Sequence, residues 1–103
     1  MSRNEYKISL RFNERYFTKI VIDQHYKINH SEMSEELILE LAKLLDGERD
    51  DPIAENFEFK YFSVEPLFYL EKPYRLVFLL SNFEDYLGVI NAFRVHRKKN
   101  GKL

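Results

Sequence analysis

The 103-residue chain contains no cysteine and no tryptophan, and only three glycines and three prolines. Without cysteine there can be no disulfide, no thiolate nucleophile and no cysteine-ligated zinc. Scarce glycine and proline argue for regular elements joined by short loops rather than a low-complexity chain. No apolar run approaches the ~20 residues that a membrane-spanning helix requires. The start, Met-Ser-Arg-Asn-Glu-Tyr, is polar and does not read as a signal peptide. Glycine-rich phosphate loops, nucleophile elbows and the two-histidine zinc spacing are also missing. These features predict a cytoplasmic, soluble protein with no membrane association, no metal and no cofactor.

Apolar residues are plentiful. They make up 45% of the chain, with nine Phe and seven Tyr, too many for an intrinsically disordered segment. The length suits a single domain over 1–103 with one core. The charge is unevenly distributed. Residues 94–103 hold five Lys/Arg (Arg94, Arg97, Lys98, Lys99, Lys102) and His96, with no acid. The first 93 residues keep eleven Lys/Arg against seventeen Asp/Glu. An acidic body therefore carries a basic tail from about residue 97, and concentrated positive charge beside a folded element suits a polyanion.

Tyr6, Ile8, Leu10 and Phe12 alternate with polar residues, the period of a half-buried strand. A turn at 13–15 and a second strand at 16–22 complete a hairpin. Residues 23–30 read as either a loop or the start of a helix. Residues 35–46 form the clearest element: Leu37, Ile38, Leu41, Leu44 and Leu45 fall on one helical stripe. Ser34, or Ser31 a turn earlier, can cap it, and Gly47 can end it. Residues 48–56 read as an acidic loop, and 57–64 as a strand interrupted by Pro66. A short strand follows at 67–70, then an apolar strand at 74–80 and a last one at 86–96. Consecutive strands with short links predict an α+β fold: an antiparallel sheet of about five strands, in the order β-β-α-β-β-β(-β), with one main helix packed on one face. The other face would carry aromatics and invite a homodimer or a protein partner.

On a regular last strand, Ile90, Ala92, Arg94 and His96 would share one face, and Leu87, Val89, Asn91, Phe93, Val95 and Arg97 the other. Arg75 on the preceding strand could then join Arg94 and His96. Such a cluster binds phosphate, and imidazole exchanges protons near neutral pH. Metal-free RNA cleavage uses these parts. Tyr86 could stack on a base. His25 and His30, five residues apart, are poorly placed for one helical face and for a shared metal.

Four segments together resemble small bacterial toxins of the RelE/ParE and BrnT type: VIDQHYK at 21–27, SEELI at 34–38, YRLVFLL at 74–80 and YLGVINAFR at 86–94. The resemblance spans roughly residues 20–98. It implies a compact antiparallel sheet packed on helices, ribonuclease activity with or without the ribosome, and an antitoxin partner. It also implies that His25 matches the histidine preceding the helix in BrnT-like chains, and that Arg75, Arg94 and His96 lie where such toxins place basic and acid/base groups. The expectation is thus a small RNA-acting toxin. Its catalytic residues would be His96, Arg94 and His25, with Arg75, Arg97, Lys98, Lys99 and Tyr86 holding RNA or phosphate. The alternative is a non-catalytic interaction or regulatory protein that dimerises or binds a protein partner through the open sheet face.

Overall fold

A computed structural model of the protein describes residues 3–23 and 33–95. The chain forms β1 (Arg3–Phe12), β2 (Arg15–Asp23), α1 (Glu35–Lys43), β3 (Ala54–Glu55), β4 (Phe59–Tyr69), β5 (Lys72–Ser81) and β6 (Tyr86–Arg94). The strands make one six-stranded sheet in the order β1-β2-β6-β5-β4-β3. All neighbours pair antiparallel except β2 and β6, which run parallel from Lys19↔Tyr86 to Ile22↔Val89.

This overturns the expected α+β fold with an antiparallel sheet of about five strands. Among the described residues the protein is mostly strand, with one short helix and a mixed sheet. Short links do produce antiparallel hairpins between neighbours in sequence. They say nothing about how the first hairpin meets the later strands, because the chain between β2 and β3 is long enough for a parallel closure. The meander from β3 to β6 builds inward from the far edge until β6 lies against β2. The break expected at Pro66 is also absent: β4 runs through it as a bulge. Val64 pairs with Leu76 and Leu67 with Tyr74, so Glu65 and Pro66 together oppose Arg75. Proline fits there because β3 pairs with β4 only at Lys60 and Tyr61, which leaves that stretch of β4 on the sheet edge.

The core is aromatic at its centre. Phe12 meets Phe62 and Phe78 edge-on, with centroids 5.4 and 5.5 Å apart, and Phe62 stacks on Phe78 at 5.2 Å. α1 adds Ile38, Leu41 and Ala42 to the same buried cluster. Each large apolar side chain buried this way contributes roughly 1.5–3 kcal/mol. Ser34 caps α1, its Oγ accepting from the Leu37 N–H at 3.1 Å, with Glu35 and Glu36 in the first turn where the helix dipole favours them. Glu35 also accepts from Asn4 Nδ2 (2.7 Å) and from the Tyr6 hydroxyl, which ties the helix start to β1. Beyond the helix, Gly47 takes φ +83° and donates to the Arg11 carbonyl at 2.6 Å, so the descending chain lies along the end of β1.

The parallel seam is fastened at its start. The Thr18 N–H donates to the Asp85 carbonyl (3.0 Å), and Arg15 Nη2 donates to the Ser81 carbonyl (2.9 Å) while its guanidinium lies 4.6 Å from the Phe17 ring centroid. Ser81 is buried, and its Oγ accepts from the N–H groups of Phe83 (3.1 Å) and Glu84 (2.9 Å), shaping the link into β6. Removing the guanidinium strips a charged donor from a part-buried carbonyl, so Arg15→Ala is expected to lower stability by about 1–3 kcal/mol in chemical denaturation. Both two-residue turns, Asn13–Glu14 and Leu70–Glu71, hold positive φ at each central position (53° and 65°; 52° and 68°). Leucine and glutamate are poorly suited to that region, where Asn-Gly is favoured. The double substitution Leu70→Asn, Glu71→Gly is expected to raise stability by about 1 kcal/mol, read as a rise in melting temperature.

Candidate functional site

The bulge in β6 decides where the basic residues stand. Val77 pairs with Asn91 and Phe78 with Val89, leaving Ile90 as an extra residue in the strand. The side-chain phase changes there. Leu87 and Val89 lie on the core face together with Ala92, all buried, and Arg94 continues that phase opposite the buried Tyr74. Arg75 lies opposite Phe93, one step out of phase, and so occupies the other face of the sheet. The expected grouping of Ile90, Ala92 and Arg94 on a face opposite Leu87 and Val89 is therefore corrected, and Arg75 and Arg94 do not share a phosphate site. A strict two-residue period cannot anticipate an inserted residue.

Arg75 is further committed by its neighbours. The β4 bulge turns Glu65 toward it. Nε donates to Glu65 Oε1 at 3.2 Å and Nη2 to Oε2 at 2.8 Å, and the guanidinium lies 5.5 Å from the Phe93 ring centroid. Tyr86, at the start of β6, stands on the same face as Arg75, its ring centroid 5.9 Å from Lys19 Nζ. Lys19 in turn pairs with Glu5 at 3.4 Å. The remaining expected residues, His25, His96, Arg97, Lys98 and Lys99, lie outside the described residues, as does His30.

The face away from α1 carries a groove of about 240 Å³ lined by Val21, Asp23, Phe59, Leu79, Tyr86, Gly88, Val89 and Ile90. It straddles the parallel seam. Gly88 sets its form: a Cβ there would stand 2.9 Å from Leu79 Cδ1 and 3.6 Å from Tyr86 Cε1. The missing side chain lets Leu79 and Tyr86 settle close to the backbone. Residue-by-residue reading passed over Gly88, Leu79 and Asp23. The usable signal was a glycine inside an otherwise apolar strand, which marks a close approach. Among the described residues, no three His, Asp or Glu stand together as a metal site, and no helix is long and apolar enough to cross a membrane.

Arg75→Ala is expected to lower stability by less than about 1 kcal/mol, because the Arg75–Glu65 pair is over a third exposed. The same variant should leave polyanion affinity unchanged in filter binding, since that guanidinium is already engaged and faces away from Arg94.

No protein-family model matches the chain, and no curated protein or solved structure shows significant similarity to it, so topology and chemistry carry the functional argument.

Proposed function

We propose that the protein acts on RNA in the cytoplasm, as a metal-free ribonuclease or a translation-arresting toxin, at the sheet end where β2 and β6 finish. One observation carries this reading: β2 and β6 are parallel neighbours, so both strands run toward the same end of the sheet. In an antiparallel pairing their last residues would lie at opposite ends. Ile22, one residue before the end of β2, is level with Val89, and β6 continues to Arg94. His25 follows Asp23 by two positions and His96 follows Arg94 by two. Asp23 and Arg94 thus lie toward one end of the seam, and in the sequence His25 comes after the first while His96 and the Lys/Arg of 97–102 come after the second.

These groups suffice for transesterification. One imidazole accepts the 2′-OH proton as the 2′-oxygen bonds to phosphorus. The P–O5′ bond breaks, and the second imidazole, protonated, donates to the leaving 5′-oxygen. The products are a 2′,3′-cyclic phosphate and a free 5′-hydroxyl. Arg94 would stabilise the charge on the phosphorane oxygens. The basic tail would add sequence-independent phosphate affinity that falls with salt. The resemblance of residues 74–94 to RelE/ParE-like and BrnT-like toxins supports the same reading and suggests the ribosome as a setting and an antitoxin as a partner. Arg75 has no part in this scheme.

A second reading is favoured by the face away from α1. Val21, Leu79 and Ile90 are only half buried there, so that face suits a protein partner, whether an antitoxin, another protein or a second copy of the chain.

Purified protein is expected to cleave RNA without added metal and leave cyclic-phosphate ends. His25→Ala and His96→Ala should each slow cleavage by about 10²–10⁴-fold, and Arg75→Ala should have no effect. Cleavage that survives the loss of both histidines, or its absence from wild-type protein with and without ribosomes, overturns the proposal.

A further inference from the structure

We propose that the chain forms a two-fold dimer in which the β4–β5 turn of each copy enters a groove on the other, with Leu70 as the inserted side chain. The groove lies between α1 and the end of the β4–β5 hairpin and has a volume of about 520 Å³. Leu37 and Leu39 line it from α1, and Tyr69 and Leu70 from the hairpin. It is on the α1 side of the sheet, so the opposite face stays clear of it.

Leu70 is the outlier that points to a partner. It stands at the first central position of a two-residue turn with φ 52°, a conformation that a leucine Cβ disfavours, and it is 76% exposed. Neither backbone preference nor burial in the core of its own chain accounts for a leucine there. Asn-Gly would make the same turn without the conformational cost and without the exposed apolar surface. A residue that breaks a local rule with no gain inside its own chain marks a gain made elsewhere.

Shape and charge then identify the occupant. One patch carries both a projecting apolar side chain, Leu70, and an apolar recess walled by Leu37, Leu39 and Tyr69. A two-fold interface requires both on a single surface, because each contact that residue i makes with residue j is returned by the other copy. Glu36 lines the α1 wall and Lys72 the hairpin wall. Both are exposed, and neither is ion-paired within the described residues. When the hairpin of one copy lies along α1 of the other, Lys72 of each meets Glu36 of its counterpart. A foreign helix would need an apolar stripe with a base on one flank and an acid on the other, whereas a second copy brings the matching pattern unaided. The nine residues of α1 span only about 13 Å. The contact is therefore small, and the dimer is expected to exchange with monomer rather than to be permanent.

Sedimentation velocity of the full chain at rising concentration tests this, and a monomer–dimer equilibrium is expected. The double substitution Leu70→Asn, Glu71→Gly should raise the dimer dissociation constant at least about tenfold while raising the melting temperature, so the loss cannot come from misfolding. Glu36→Lys and Lys72→Glu should each weaken the dimer about tenfold, because one reversal sets like charges together at two places in a symmetric contact. Combined in one chain, the two reversals should restore association. Circular-dichroism melts show that each variant folds. A monomer at every concentration gives the groove to some other partner and overturns the proposal. So does a dimer indifferent to the Leu70 and charge substitutions, which must use another surface, and so do charge reversals that fail to rescue one another.

Discussion

The parallel seam between β2 and β6 is the constraint on which the rest of the structure depends. On one side lies a hairpin, β1–β2, and on the other an antiparallel meander, β3–β6. Neither block closes a core alone. Phe12 comes from the hairpin, Phe62 and Phe78 from the meander, and their rings meet only because the seam joins the two. Arg15 reaching to Ser81, and Thr18 to Asp85, hold the seam at its first residues. Each is a hydrogen bond between segments more than sixty positions apart in the chain. Each therefore acts against a large loop-closure entropy and rewards only a chain that has already brought its ends together.

The same seam sets direction. Parallel strands share their carboxyl ends, and that brings Asp23 and Arg94 toward one end of the sheet. It also leaves a groove between the strands on the face that α1 does not cover. The proposed chemistry at that end is a consequence of this pairing, because an antiparallel β2–β6 would send Asp23 and Arg94 to opposite ends of the sheet.

Bulges refine this plan. Three of the ladders contain an extra residue: at Ile8–Ser9 in β1, at Glu65–Pro66 in β4 and at Ile90 in β6. The β4 bulge turns a carboxylate onto Arg75 and neutralises it. The β6 bulge changes the phase of the strand, so Arg94 and Arg75 part company across the sheet. Each adjusts which side chain faces which surface at the cost of a locally disrupted ladder.

Much of the local structure was legible. Alternation at Tyr6, Ile8, Leu10 and Phe12 marked a strand, and the stripe from Leu37 to Leu45 with Ser34 before it and Gly47 after it marked a capped helix. Those signals come from residues within a few positions of one another, where side-chain spacing and backbone preference decide the outcome. The candidate site was legible only in part. Arg94 and Tyr86 were picked from charge and ring chemistry, whereas Gly88 acquires meaning only beside Leu79 and Val21, which lie elsewhere in the chain.

The amino-acid sequence by itself marked the helix and most of the strands, the aromatic character of the core and the separation of acidic body from basic end. These depend on composition and short-range periodicity. Tertiary structure alone decided the parallel closure, the bulge phases and the pairing of Arg75 with Glu65. Each of these is chosen by packing summed over the whole sheet, and no window of neighbouring residues contains that sum.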